Sequence, residues 1–209
     1  MVIVFENIEV LGEGAFGEVT KCKTPTCKKY YNTQKVVAIK RIKNMDDENA
    51  QNEVRILSKL KHENIVQYLE HFLAVDKKDL CIVMEYCNDG TLTQYIQSWT
   101  GPVPEWNVWR IIIHLSGGLD YLHKQHPPVI HCDLKPDNIL CHSDPEGVGI
   151  KIGDFGISRI LGRKTMAVYY TRQVGGTPIY MAPEALKQEA VTTAADMWYC
   201  FINTKLGKC

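Results

Sequence analysis

Residues 131–138 read His131-Cys132-Asp133-Leu134-Lys135-Pro136-Asp137-Asn138, and this run decides the fold, with Asp154-Phe155-Gly156 and Ala182-Pro183-Glu184 behind it. Ahead of it lie Gly12-Glu13-Gly14-Ala15-Phe16-Gly17-Glu18-Val19 and Val37-Ala38-Ile39-Lys40, so five short motifs stand in order along one chain. The glycines of the first fit GxGxxGxV between two expected strands, Ile8 to Leu11 and Val19 to Cys22. Glycine lets backbone approach phosphate oxygens with no Cβ in the way, and backbone N–H groups supply the donors. GxGxxG by itself is a weak signal. Its context discriminates against a dinucleotide-binding oxidoreductase, because a strand follows the glycines where that fold needs a helix.

Working outward, Val36 to Ile42 is β-branched and reads as a third strand carrying Lys40 among apolar neighbours. From Asp47 to Leu60 the period changes, and Glu53, Leu57 and Leu60 recur at i, i+4 and i+7. One helix face therefore carries an acid among leucines. A lysine is usually a solvated surface group, but a carboxylate on an apolar face is costly unless paired, which predicts a buried Lys40–Glu53 ion pair.

Short apolar runs at Ile65 to Leu69 and Leu80 to Met84 come next, then a turn at Asn88-Asp89-Gly90. Val108, Ile112, Leu115, Leu119 and Leu122 step by four and three, the stripe of a core-facing helix, with Pro127-Pro128 beyond its end. Short strand-like segments at Ile139 to Cys141 and Ile150 to Ile152 precede a polar loop from Ser158 to about Thr177. Thr24 to Gln34, polar with a proline, reads as a hairpin loop.

Composition bounds the alternatives. The 209 residues are 45% hydrophobic and 23% charged, and Lys+Arg equals Asp+Glu at 24. A chain of this size buries about 70% of its surface on folding, which excludes disorder and low complexity. Zero net charge argues against a dedicated nucleic-acid binder. No apolar run approaches the roughly 18 residues of a membrane span, and Met1 to Phe5 lacks the basic lead and cleavage site of a secretory leader. The eight cysteines are then expected as free thiols in the reducing cytoplasm. Cys22 and Cys27 could supply half a metal site, but no second pair accompanies them, and small buried hydrophobes are the simpler account.

The five motifs in this order resemble the eukaryotic protein kinases, over nearly the whole chain from Ile8 to Trp198. The resemblance implies an α+β, two-lobed fold: a small antiparallel β-sheet lobe with one helix over residues 1–87, and a mainly helical lobe, incomplete, over 88–209. It implies ATP and Mg²⁺ as cofactors and protein Ser/Thr hydroxyls as acceptors. Asp133 matches the catalytic base, and Asn138 and Asp154 match the Mg²⁺ ligands, hard oxygens suited to a hard cation. Lys40 and Glu53 match the pair that holds the α- and β-phosphates. Lys135 matches the lysine that steadies the γ-phosphate in serine/threonine kinases, and Thr177 the threonine that lines their substrate pocket. Leu11, Gly12, Glu13, Gly14 and Gly17 match the nucleotide loop. Val19, Ala38 and Leu140 match the adenine sandwich, Met84 the gatekeeper, and Glu85 and Cys87 the hinge. Leu57, Tyr68, His131 and Phe155 match a stack of side chains joining the lobes, and Asp196 matches the carboxylate that holds the catalytic loop's backbone.

The chain departs from that pattern in two places. Cys132 stands where the family has an arginine that receives an activation-loop phosphate, so activation through that contact is not expected, although Thr165, Tyr169, Tyr170 and Thr171 remain phosphorylatable. After Ala195-Asp196-Met197-Trp198 the family's central helix should continue, yet residues 199–209 are rich in poor helix formers. The large lobe is therefore expected to lack its floor, leaving the 108–122 helix uncovered and Glu184 without its usual arginine. Met84 to Leu92 and the short Lys40-to-Glu53 spacing resemble stress kinases acting on a translation initiation factor. Gly153 to Ser158 resembles the NIMA-related group. The expected activity is MgATP-dependent phosphoryl transfer to Ser or Thr; the alternative is a non-catalytic kinase module that binds nucleotide or a partner.

Overall fold

The computed structural model describes residues 5–14, 17–24, 35–43, 48–74, 78–161, 168–169 and 178–198. Two compact units divide them. The first draws on the described residues within Met1–Leu60 and on Gln67–Tyr86, the second on Lys61–Val66 and on those from Cys87 onward. The fold is α+β, with an antiparallel sheet and one helix in the first unit and three further α-helices, the longest helix among them, in the second.

The first unit contains β1 (Glu6–Gly14), β2 (Gly17–Lys23), β3 (Val36–Ile42), α1 (Glu48–Leu57), β4 (Tyr68–Leu73) and β5 (Leu80–Glu85). The strands form one antiparallel sheet in the order β1-β2-β3-β5-β4. Strand periodicity sends alternate side chains to opposite faces. Cys22, Val37, Ile39, Cys81 and Val83 build a core on one face, covered by Phe5, Leu69, Phe72 and Ala74. The Phe5 and Phe72 rings stack there at 5.6 Å. The residues between them, Ala38, Lys40, Ile82 and Met84, belong to the other face. Gly17 has φ +117°, and a Cβ there would collide with the Arg41 carbonyl oxygen, so β2 meets β3 at this point only as glycine.

The second unit continues with α2 (Leu92–Gln97), α3 (Glu105–His123), β6 (Val129–Ile130), β7 (Ile139–Asp144), β8 (Gly147–Ile152), β9 (Arg159–Ile160), β10 (Val168–Tyr169), α4 (Pro183–Leu186) and β11 (Ala190–Val191). Of the predicted α3 stripe, Leu115, Leu119 and Leu122 are fully buried, whereas Val108 and Ile112 are half-buried. Gly118 completes that face: an added Cβ would lie 2.9 Å from Ile152 Cδ1 and 3.1 Å from the Asn64 carbonyl oxygen. Buried Arg110 ties α3 to the β7–β8 hairpin, donating to the Val148 carbonyl at 3.2 Å and to Glu146 at 2.9 Å. No helix among the described residues is long and apolar enough to cross a membrane.

Several expectations are corrected. α1 stops at Leu57, and Leu60 is buried from a following turn whose amide bonds the Leu57 carbonyl at 3.1 Å. The Ile65-to-Leu69 run is not one strand. Ile65 bridges Ile152 and the Val66 amide bonds the Ile152 carbonyl at 2.9 Å, both within the second unit, and β4 begins only at Tyr68. The two segments expected near 140 and 150 are longer and pair as one hairpin, closed at Gly147 with φ +134°. The polar stretch after Ser158 opens with β9, which pairs with β6. α2 went unread, although Thr91 and Gln94 form a capping box that starts it. The expected loop over 25–34, Thr165, Tyr170, Thr171, Thr177, Cys27 and residues 199–209 lie outside the described residues, as does the side chain of Tyr169.

Candidate functional site

In the first unit a row of residues crosses the sheet: Gly12 faces Val19, Val19 faces Lys40, and Lys40 faces Ile82. Ala38, two residues before Lys40, faces Met84, so Val19, Ala38, Lys40 and Met84 share one side of the sheet. Leu11, Gly12 and Glu13 are exposed on β1, whose last residue is Gly14. Among the described residues, and its two chain neighbours aside, no atom stands within 4 Å of where a Gly12 Cβ would be, so backbone is open at that point.

Lys40 and Glu53 make the predicted pair. The ammonium lies 2.9 Å and 2.8 Å from the two Glu53 oxygens, with side-chain exposures of 6% and 1%. α1 sets its period so that Ala50, Glu53, Ile56 and Leu57 are all buried, and this draws the carboxylate inward. Glu85 donates its amide to the Gln67 carbonyl at 3.0 Å and accepts the Gln67 amide on Oε1 at 2.7 Å, which pins the end of β5 to the start of β4.

In the second unit the chemistry-bearing residues cluster within 131–138. The Asn138 amide nitrogen donates to the Asp133 carbonyl at 2.8 Å and to Asp133 Oδ2 at 2.9 Å, and Lys135 Nζ lies 3.1 Å from the same oxygen. Asp133 is thus held, 3% exposed, between an amide and a cation. His131 is a hub. Its Nε2 faces the Gly153 carbonyl at 2.8 Å and its Nδ1 the Asp133 amide at 3.3 Å, partners that together require the Nε2–H tautomer. The ring also meets Phe155 edge-on at 4.9 Å.

Fully buried Asp196 anchors this segment. Its Oδ2 accepts the His131 amide at 2.9 Å and faces His123 Nε2 at 2.8 Å, and its Oδ1 accepts the Cys132 amide at 3.1 Å. Those bonds hold Cys132 at φ +70°, a left-handed conformation costing about 1–2 kcal/mol for a non-glycine residue. Burial, reinforced by the Asp196 carboxylate, pushes the Cys132 thiol far above its ordinary range, and its Sγ donates to the Ile130 carbonyl at 3.7 Å. Asp154 is a second left-handed residue, φ +56°, and accepts the Gly156 amide at 3.4 Å. Strain of this kind concentrates where geometry is over-determined by the surroundings.

Leu140 is half-buried on β7 and bridges Thr91, and Cys87 is buried in the same unit. Leu57 is fully buried in the first unit, and Tyr68 is half-buried, its hydroxyl on His71 Nδ1. Two residues with structural duties at the site were missed: His123 and Ser158, whose hydroxyl donates to the His131 carbonyl at 3.0 Å. His123 could have been suspected as a histidine in the last turn of a helix; Ser158 carries no local signal.

Each unit carries its own polar groups. In the first unit Lys40 offers a positioned ammonium and Gly12 exposed backbone; in the second, Asp154 and Asn138 carry carboxylate and amide oxygens of the kind a hard cation takes.

The model of the protein kinase domain family matches residues 5–203. The chain is 34% identical over 203 residues to "Probable serine/threonine-protein kinase nek2" of Dictyostelium discoideum, covering 93% of this chain and 46% of that protein. It is 36% identical over 199 residues to serine/threonine-protein kinase TIO of Arabidopsis thaliana, covering 93% of this chain and 14% of the relative. Serine/threonine-protein kinase Nek8 of Danio rerio is 36% identical over 195 residues, with 93% of this chain and 26% of the relative covered. The chain spans half or less of the length of these relatives. It belongs to the protein kinase family, as a domain of the serine/threonine class.

Proposed function

We propose that the chain transfers the γ-phosphoryl group of ATP, with Mg²⁺, to Ser or Thr hydroxyls of protein substrates. The observation that carries this reading is the Asp133 carboxylate, held by Asn138 at 2.9 Å and Lys135 at 3.1 Å. In that role Asp133 orients the acceptor hydroxyl and takes its proton, while Lys135 offsets the charge of the transferring group and favours Ser/Thr acceptors. Lys40, fixed by Glu53, holds the α- and β-phosphates, and Gly12, Gly14 and Gly17 let backbone approach them. Val19, Ala38, Met84 and Leu140 supply the apolar environment for the base, with Leu11, Glu13, Glu85 and Cys87 at its edge. Asn138 and Asp154 hold Mg²⁺, which when bound neutralises phosphate charge. Such a kinase turns over at about 1–100 per second. The reducing cytoplasm is the inferred setting, supported by Cys22, Cys81, Cys87, Cys132 and Cys141, which among the described residues stand as thiols outside any disulfide.

Phosphoryl transfer to Ser/Thr peptides, with Lys40→Met as the control for contaminating kinases, tests this. Thermal unfolding with and without Mg²⁺ and a non-hydrolysable ATP analogue separates binding from turnover. Binding to the native state alone adds about 2.7 kcal/mol at a hundredfold excess over Kd. A nucleotide-dependent shift without transfer would leave a module that binds but does not turn over, and neither signal would reject the reading.

A further inference from the structure

We infer that Ser158 is a positioning residue, whose hydroxyl tethers the segment carrying Asp154 to the backbone that carries Asp133. Ser158 is fully buried, and its Oγ donates to the His131 carbonyl at 3.0 Å. The β6–β9 ladder pairs Val129 with Ile160 and Ile130 with Arg159, then ends. The next residues across are His131 and Ser158. The Ser158 amide is engaged by the Phe155 carbonyl at 3.1 Å, closing the turn that contains Gly156, so the hydroxyl bonds the His131 carbonyl in its place. A buried carbonyl left without its donor is costly, which makes a side-chain donor at this position consequential.

His131 therefore holds the segment carrying Asp154 at both of its ends. Its ring nitrogen Nε2 bonds Gly153, just before Asp154, and its carbonyl bonds Ser158, four residues after Asp154. Its Nδ1 receives the Asp133 amide. The Asp154 turn is closed on both sides onto the residue that orients Asp133, while Asp154 itself holds a left-handed φ of +56°. Without the Ser158 bond the turn is held to this segment from its Gly153 end, by His131 Nε2 and by the Gly153 amide on the Asn138 carbonyl at 2.9 Å, and the strained Asp154 conformation loses part of what enforces it. The inference rests on the kinase reading in taking Asp133 and Asp154 as working groups; the tether itself does not depend on it.

Amide hydrogen exchange by mass spectrometry on the full chain, wild type against Ser158→Ala, tests the tether. Exchange is expected to quicken about tenfold in 131–138 and 153–158 and to stay within about twofold in α3, the loss of one buried hydrogen bond. In transfer assays kcat should fall about tenfold while KM for ATP changes less than twofold. Unchanged exchange in both segments overturns the inference, as does an equal rise in α3, which marks general loosening. Ser158→Cys, close in volume with a weaker donor, guards against an alanine variant that fails to fold. It should show an intermediate rise, and wild-type exchange in it would count against the tether. If the wild-type chain transfers no phosphate, the kinase reading fails while the exchange pattern still decides this one.

Discussion

The Asp196 carboxylate receives the backbone amide of His131 at 2.9 Å across 65 residues of sequence, and no side chain of the 131–138 segment is needed for the contact. An acceptor that grips backbone is indifferent to what the gripped residue carries. Cys132 sits on the same carboxylate, at 3.1 Å from Oδ1, although the family has arginine there. The backbone beside Asp133 thus stays anchored whatever side chain residue 132 carries.

Asp196→Asn keeps the volume but exchanges one acceptor oxygen for a donor, against the amides of His131 and Cys132 and the ring of His123. Hydrogen bonds to a charged acceptor contribute about 1.5–3 kcal/mol each, so unfolding free energy should fall by about 2–3 kcal/mol. Denaturant titration checks this, and an unchanged midpoint would contradict the anchoring role.

Lys40→Met removes the cation from a carboxylate that is 1% exposed and should destabilise by about 3–5 kcal/mol. Replacing both partners, Lys40→Met with Glu53→Leu, should recover most of that stability, because an apolar pair has no charge to desolvate. Phosphoryl transfer should stay lost in both. A double variant as unstable as the single one would show that Glu53 is not what makes the single change costly.

Asp133→Asn should abolish transfer and leave the nucleotide-dependent thermal shift within about 1 °C, since the change keeps size and leaves Lys40 and the glycines proposed to hold the phosphates untouched. Transfer at the wild-type rate in this variant would remove Asp133 from the role of base.

Gly12 and Gly17 should behave oppositely. Gly17→Ala meets the Arg41 carbonyl at φ +117° and should lower stability by more than about 1 kcal/mol. Gly12→Ala meets open space and should leave stability within about 0.5 kcal/mol while weakening nucleotide binding, measured as a smaller thermal shift. Equal thermal penalties would mean that both glycines serve the sheet alone.

Burial, aided by the Asp89 carboxylate, pushes the Cys141 thiol up to about 12 from 9.0. The folded chain keeps that proton where the unfolded chain releases it, so the unfolded state binds fewer protons between those values. Stability from this group is therefore complete below pH 9.0 and declines as pH rises towards 12. At pH 8, iodoacetamide should label Cys132 and Cys141 only after denaturation, read by peptide mapping. Labelling of either in the native chain would contradict their burial.

Chemistry tied to short motifs was legible from residues alone. Glu53 in an apolar helix face demanded a cation, Lys40 in an apolar strand demanded an anion, and the structure joins them at 2.8 Å. The extent of β3 was read correctly because β-branched Val36, Val37, Ile39 and Ile42 mark both its ends and its middle. Those inferences rest on local composition and on the high cost of burying one charge by itself, and both are properties of a few neighbouring residues. The features beyond reach were decided by distant partners. Ile65 and Val66 read as one strand with Gln67, Tyr68 and Leu69, yet Ile152 claims the first two. Ser158 looks like any loop serine until the end of β6 leaves the His131 carbonyl for its hydroxyl to meet. His123 acquires a duty only because Asp196, 73 residues on, lies within reach. A hydrogen-bond donor is written in the sequence, but its acceptor is chosen by how the chain packs, and that choice belongs to the tertiary structure.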